Sequence, residues 1–224
     1  MLAIVAPGQG AQTPGFLSPW LEDPTFADRL NWLGTVAGLD LAHYGTVADA
    51  ETIRDTAIAQ PLLVASGLVT ALALFPSPAD GFRRTAVAAG HSVGEITAAA
   101  AVGVLSAEQA MVFVRERGQQ MAAASAVRPT SMMAVVGGDP AEVLAAIEAA
   151  GLTAANNNGS GQIVAAGTVE QLADLQASPP ARAKPSNWPL GLFASIGSRS
   201  WHSTGPGWSW RSIAARGPTS ARSR

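Results

Sequence analysis

The chain has 224 residues, of which 48% are hydrophobic and 13% charged, with a net charge of −2 and no cysteine. Apolar content this high excludes a disordered protein, and the lack of thiols excludes disulfides, thiolate zinc sites and cysteine nucleophiles together. The near-neutral total conceals an asymmetry: residues 1–178 carry seven arginines against all sixteen acids, net −9, whereas residues 179–224 carry six arginines, Lys184 and no acid, net +7.

Leu2–Ala6 is a short apolar run that ends at Pro7-Gly8-Gln9-Gly10, the pattern of a buried strand entering a glycine-rich loop. Residues 11–58 read as short helices and loops. Gln60-Pro61 then opens the apolar run Leu62–Phe75, which reads as a helix buried on all faces with proline in its first turn, stopped by Pro76-Ser77-Pro78. Thr85–Ala89 is a second strand. It runs into Gly90-His91-Ser92-Val93-Gly94-Glu95 and an alanine-rich helix, Ile96–Val104. Ser106 and Gln109 have capping-box spacing and start a further helix to about Ala124. Strands alternating with helices predict an α/β fold with a largely parallel sheet.

From Met132 the pattern changes. Met132–Val136 reads as a strand, Asp139-Pro140 caps a helix to Ala150, and Thr153–Ala155 is a short strand before Asn156-Asn157-Asn158-Gly159. Gln162–Ala166 is a strand, and Thr168 with Gln171 caps a helix to about Ala177. The order β-α-β-β-α is a split βαβ unit without its closing strand, read as an inserted small subdomain. After Ser178 neither the helical nor the strand period is present, and the composition turns to Ser, Arg, Pro, Gly and Trp. The longest apolar run, Leu62–Phe75, is 14 residues, too short to cross a bilayer, and the N-terminus MLAIVAPGQG lacks a basic n-region. The expectation is a cytoplasmic protein with no membrane partner.

The first candidate for chemistry is Ser92, in Gly90-His91-Ser92-Val93-Gly94. Glycine-x-Ser-x-glycine between a strand and a helix makes a strained turn that lifts one hydroxyl clear of the sheet, and side chains at the glycines would collide with neighbouring backbone. The helix N-terminus behind it offers N–H groups to a developing oxyanion. The Pro7–Gly10 loop can present a backbone N–H to a substrate oxygen or be a plain turn. Arg117 shares the helix face of Phe113, Val114 and Met121, so it needs an anionic partner. On the residues alone an internal salt bridge with an acid such as Glu95 or Asp139 is favoured over a substrate carboxylate, with Arg115 a decoy on the same helix. His91 points away from its neighbour and reads as structural, and His43 carries no signal. Three histidines in all leave little for a metal site.

Taken together, PGQGAQ at 7–12, QP at 60–61, GHSVGE at 90–95, ERGQQM at 116–121, MMAVVGG at 132–138 and NNNGSGQIVAAG at 156–167 resemble the malonyl-CoA:acyl-carrier-protein transacylases and related polyketide acyltransferase domains. The resemblance spans about 1–178. It implies an α/β-hydrolase-like core, its N-terminal part at 1–127, with a ferredoxin-like small subdomain at 128–178. It implies Ser92 as nucleophile, the backbone N–H groups of Gln9 and Val93 as oxyanion hole, and Arg117 as the clamp for the malonyl carboxylate. Malonyl-CoA and acyl carrier protein would be the substrates, in fatty-acid synthesis, with no cofactor, metal or nucleic acid. The alternatives are an inactive fragment of that enzyme, a polyketide-type acyltransferase, or a serine hydrolase.

The family places a general-base histidine after the small subdomain, near Leu192–Gly197 here, and that stretch reads LFASIG. His202 lies beyond it and is not expected to serve as base. Nothing after about Lys184 matches, so residues 179–224 are expected to be an out-of-frame tail on a truncated chain, in preference to a basic arm for nucleic acid or membrane.

Overall fold

The protein is described by a computed structural model covering residues 2–10, 12–75, 77–127, 130–159, 161–187 and 215–216. These fall into two compact units that divide after Ala122, the first including the short strand at 215–216. The fold is α/β.

In the first unit, β1 (Leu2–Ala6) and β2 (Thr85–Gly90) pair in parallel, from Leu2 opposite Thr85 to Ala6 opposite Gly90. The connection between them passes through α1 (Pro24–Ala37), α2 (Leu41–Thr46), a 3-10 turn at Thr52–Arg54, α3 (Thr56–Leu74) and α4 (Pro78–Arg84). Two residues, Ala215–Arg216, add an antiparallel strand beside β2, so β2 is the middle of three. After β2 come α5 (Gly94–Ala101) and α6 (Ala107–Val127). The apolar core is mostly interhelical: Phe26, Leu30 and Leu33 of α1 meet Leu62, Val64 and Val69 of α3, Ile96 of α5, and Met111 and Val114 of α6.

Several helix bounds differ from the sequence reading. The helix opened at Gln60-Pro61 starts earlier, at Thr56, because the Asp55 carboxylate accepts from the Ala57 N–H at 2.8 Å and caps it there. Pro61 is therefore inside the helix. It removes the bond to the Ala57 carbonyl, a loss offset by the burial of Leu62, Val64, Ala65, Leu68 and Val69. The extra length gives α3 19 residues, long and apolar enough by length and composition to cross a membrane; half of that stretch is buried inside the protein. The helix is not buried on all faces, since Leu74 at its end is 70% exposed. Helix α3 ends at Leu74 with Phe75 as its C-cap, and Ser77 and Pro78 begin another helix rather than only following one: Ser77 caps α4 and Pro78 takes its first position. The elbow helix ends at Ala101 rather than Val104, with Val102 as its C-cap.

The second unit holds β3 (Thr130–Gly137), α7 (Pro140–Ala149), β4 (Thr153–Gly159), β5 (Gln162–Thr168), α8 (Val169–Ala177) and β6 (Ala183–Asn187). Its sheet order is β4-β5-β3-β6, every neighbour antiparallel. Met133, Val135, Ile163 and Ala165 of the sheet pack with Val143 and Ile147 of α7 and Leu172 and Leu175 of α8.

Two corrections follow. The asparagine run continues β4 rather than leaving it, pairing with β5 through two register shifts that give the strand an irregular path. And the unit does have a closing strand. Residues Ala183–Asn187 pair with β3 from Gly137 to Met133. Their sequence, AKPSN, has no apolar alternation, and Pro185 argues against a strand; an edge position accepts both, since an edge strand's outward N–H groups need no partner. The tail assigned from 179 thus supplies a strand of the second unit. Its further stretch, including 192–197 and His202, lies outside the described residues.

Candidate active site

The serine turn is built by main chain packed on main chain. At the end of β2 the His91 N–H donates to the Ala6 carbonyl at 3.1 Å, and the Gly94 and Glu95 N–H groups turn back to His91 and Ser92 at 3.0 Å each. A Cβ on Gly90 would stand 2.1 Å from the Gly94 carbonyl carbon, and one on Gly94 would stand 2.3 Å from the Ala6 oxygen and 2.6 Å from that of Pro7. No real side chain fits such gaps, so both glycines are dictated by the crossing of β1, its loop and α5. Ser92 is held at φ 53°, a left-handed conformation that costs a serine about 1–3 kcal/mol. Its side chain is exposed, while Val93 beside it is fully buried. The chain spends that strain on exposing one hydroxyl.

The cation comes from α6. Ser106 and Gln109 exchange hydrogen bonds at its start, at 2.9 and 3.1 Å, as their spacing predicts. The helix buries Ala110, Met111, Val114 and Gly118. Phe113 and Met121, expected to share Arg117's core face, are exposed, so Arg117 sits at the margin of the buried stripe. Its Nη2 donates to Ser92 Oγ at 3.2 Å, and its Nη1 donates to Gln60 Oε1. The expected internal salt bridge is absent: among the described residues the ion pairs join Arg83 to Asp80 and Arg115 to Glu116. A neutral amide on α3 takes the place of the acid. Partial burial holds the Arg117 pKa below the usual guanidinium value, and the charge of Glu95 acts in the opposite direction at longer range. The group remains a cation at neutral pH.

The glycine-rich loop lies over the same turn. A Cβ on Gly8 would meet the imidazole of His91 at 2.6 Å, so that ring packs against the loop. The loop is tied to the segment before α3: Gln9 Nε2 donates to the Arg54 carbonyl at 3.0 Å, Gln12 Nε2 donates to that of Ile53 at 2.9 Å, and the Gly10 N–H donates to Gln12 Oε1 at 2.9 Å. The main-chain N–H groups of Gln9 and Val93 have no acceptor among the described residues. His43 is remote in character, its ring edge-on to Tyr44 in α2. No group of metal-ligating side chains occurs among the described residues.

The structure brings together Ser92 and Arg117. It adds Gln60, which the residue-by-residue reading passed over as the start of a helix. The available signal was a single amide entering an otherwise apolar run. Gln12, the other addition, has no local signal, because its partner is 41 residues away.

The acyl transferase domain family matches residues 4–183. The malonyl CoA-acyl carrier protein transacylase of Mycobacterium tuberculosis is 48% identical over 184 residues, covering 82% of this chain and 61% of its own length. The crystal structure of MCAT from the same organism superposes with a TM-score of 0.76 at 47% identity, over 82% of this chain and 60% of that one. A holo type II PKS acyl-carrier protein in complex with its malonyl-transacylase matches at a TM-score of 0.69 and 27% identity, over 88% and 64%. The chain therefore spans about three fifths of the length of the relatives it matches.

Proposed function

The chain belongs to the acyl transferase domain family, and on that premise we propose that it takes malonyl from coenzyme A onto Ser92 and passes it to the phosphopantetheine thiol of acyl carrier protein, in fatty-acid synthesis in the cytoplasm. The observation that carries this reading is the 3.2 Å contact between the Arg117 guanidinium and the Ser92 hydroxyl. A fixed cation beside a nucleophile suits an acyl donor whose far end is a carboxylate. An ordinary ester has no use for one, which disfavours a serine hydrolase.

In this reading Ser92 Oγ attacks the thioester carbonyl and its proton leaves with the departing coenzyme A thiol. The carbonyl oxygen, negative in the tetrahedral state, is met by the N–H groups of Gln9, in the loop after β1, and of Val93, at the N-terminal end of α5. Arg117 pairs with the malonyl carboxylate, for which its two-pronged geometry is the best match among side chains. The carrier thiol then attacks the malonyl-serine ester and restores the free hydroxyl, a two-step exchange through a covalent intermediate. No cofactor is needed for either step. The first unit corresponds to an α/β-hydrolase-like core at about 1–127 and the second to a ferredoxin-like subdomain, extended past 178 by β6. That the transacylase complex named above holds its carrier protein supports the same kind of partner here.

A second reading, donor binding without efficient transfer, is favoured by the same hydroxyl. Its hydrogen bond among the described residues comes from a cation, and no imidazole bonds to it there. Loss of a base in such a site typically lowers rates by several orders of magnitude. One experiment separates the two: incubate the chain with malonyl-CoA, digest it, and weigh the Ser92 peptide. Transfer predicts a malonyl ester that Ser92→Ala abolishes and carrier protein discharges. Saturable binding with no ester leaves the second reading standing.

A further inference from the structure

The cation that faces Ser92 is held by a group without charge. Gln60 is 1% exposed, its Oε1 accepts from Arg117 Nη1, and its amide nitrogen meets Met121 Sδ at 3.3 Å, one turn further along α6. A buried amide engaged at both ends is fixed in orientation. The two helices are brought to this distance by backbone contact. A Cβ on Gly118 would lie 2.8 Å from the Thr56 carbonyl oxygen and 3.2 Å from the Ala57 Cα, so α6 rests directly on the first turn of α3. Gln60, one turn on from Thr56, then meets Arg117, the residue before Gly118.

An amide at this position differs from a carboxylate in one decisive respect. A glutamate would pair with the guanidinium and cancel its charge. Glutamine satisfies one N–H and leaves the whole positive charge, with Nη2 directed at Ser92. We propose that Gln60 is a positioning residue that sets donor selectivity: it aims Arg117 at the acyl group on Ser92 and keeps its charge available for a donor that ends in a free carboxylate. The proposal rests on the reading of Arg117 given above.

The test is calorimetric binding of malonyl-CoA and acetyl-CoA to the chain, to Gln60→Glu and to Gln60→Leu, each variant checked for folding by circular dichroism. The unaltered chain should prefer malonyl-CoA. Gln60→Glu should weaken malonyl-CoA binding by about tenfold or more while acetyl-CoA binding holds, as expected for loss of a charge-assisted contact. Gln60→Leu, which cannot accept from Arg117, should lower the preference less. A merely structural role would weaken both thioesters alike, and that result overturns the proposal. So does a folded variant that keeps the malonyl preference; if Gln60→Glu does not fold, Gln60→Leu alone decides. If the unaltered chain shows no preference, the reading of Arg117 itself fails and the role of Gln60 falls with it.

Discussion

The two halves of the candidate site are made in different ways. The serine turn is main chain against main chain: the positions of Gly90 and Gly94 leave 2.1 to 2.6 Å for a side chain, and the residues that define them lie close by or on the paired strand β1. The arginine is placed by side chains across 57 residues of sequence, through Gln60, with a single backbone contact at Gly118 to set the spacing. A turn of the first kind is present or absent as a whole. A contact of the second kind can be lengthened by tenths of an ångström and keep part of its effect. Substitutions should therefore act all-or-none on the hydroxyl and by degrees on the cation.

The largest effect is expected at the turn. Gly94→Ala drives a methyl group into the Ala6 and Pro7 carbonyl oxygens, and the backbone must move to admit it. Overpacking of this severity should cost about 3 kcal/mol, read as a lower melting temperature, together with complete loss of the malonyl ester on Ser92. A variant that keeps both the melting temperature and the ester would show that the turn is softer than its geometry.

Next in size is removal of the cation. Arg117→Ala should weaken malonyl-CoA binding by roughly 10- to 100-fold, the value of hydrogen bonds to a charged group, and leave acetyl-CoA nearly unaffected. Its melting temperature should fall modestly, for a cost of about 1–2 kcal/mol, because the buried Gln60 Oε1 loses its donor although Arg117 itself is only half-buried. Unchanged thioester selectivity would detach Arg117 from the site. Gly118→Ala should fall between this and no effect. A methyl 2.8 Å from the Thr56 oxygen pushes α6 outward slightly, costing about 1 kcal/mol and weakening, without abolishing, the preference for malonyl. If Gly118→Ala removed the preference altogether, the arginine would be as rigidly mounted as the serine, and the contrast between the two would fail.

The same contrast explains what could be read in the sequence. The serine turn was legible because its requirements are local: a strand, a glycine, a serine, a second glycine and a helix follow one another within a few residues. The caps at Ser106, Asp139 and Thr168 were legible for the same reason. Arg117 was legible as a candidate, but its partner was not, since nothing local distinguishes Glu95 from Gln60 as the group that faces it. The internal salt bridge was the more common solution and the protein does not use it. The start of α3 was misplaced because proline's liking for a first turn outweighed the Asp55 cap five residues earlier. β6 was missed because strand patterning reports burial, and an edge strand of Ala, Lys, Pro, Ser and Asn carries little of it.

The smallest effect tests whether the second unit bears on the site at all. Thr168 caps α8 by accepting from the Gln171 N–H at 3.2 Å, while Gln171 Oε1 accepts from the Thr168 N–H at 3.0 Å. Gln171 also donates to the Gly151 carbonyl at 2.9 Å, which ties the end of the α7 turn to the start of α8. Thr168→Ala removes one arm of this arrangement and should cost about 1 kcal/mol. The loss belongs to a core of Ile163, Leu172 and Leu175 with no residue of the serine turn in it. Amide exchange should therefore rise in α8 and its neighbouring strands, with no change in β2 or α5, and the rate of ester formation on Ser92 should stay as it was. Faster exchange at the serine turn, or a slower ester, would mean that the two units share one cooperative unfolding event, and that the site owes its stability to residues far from its chemistry.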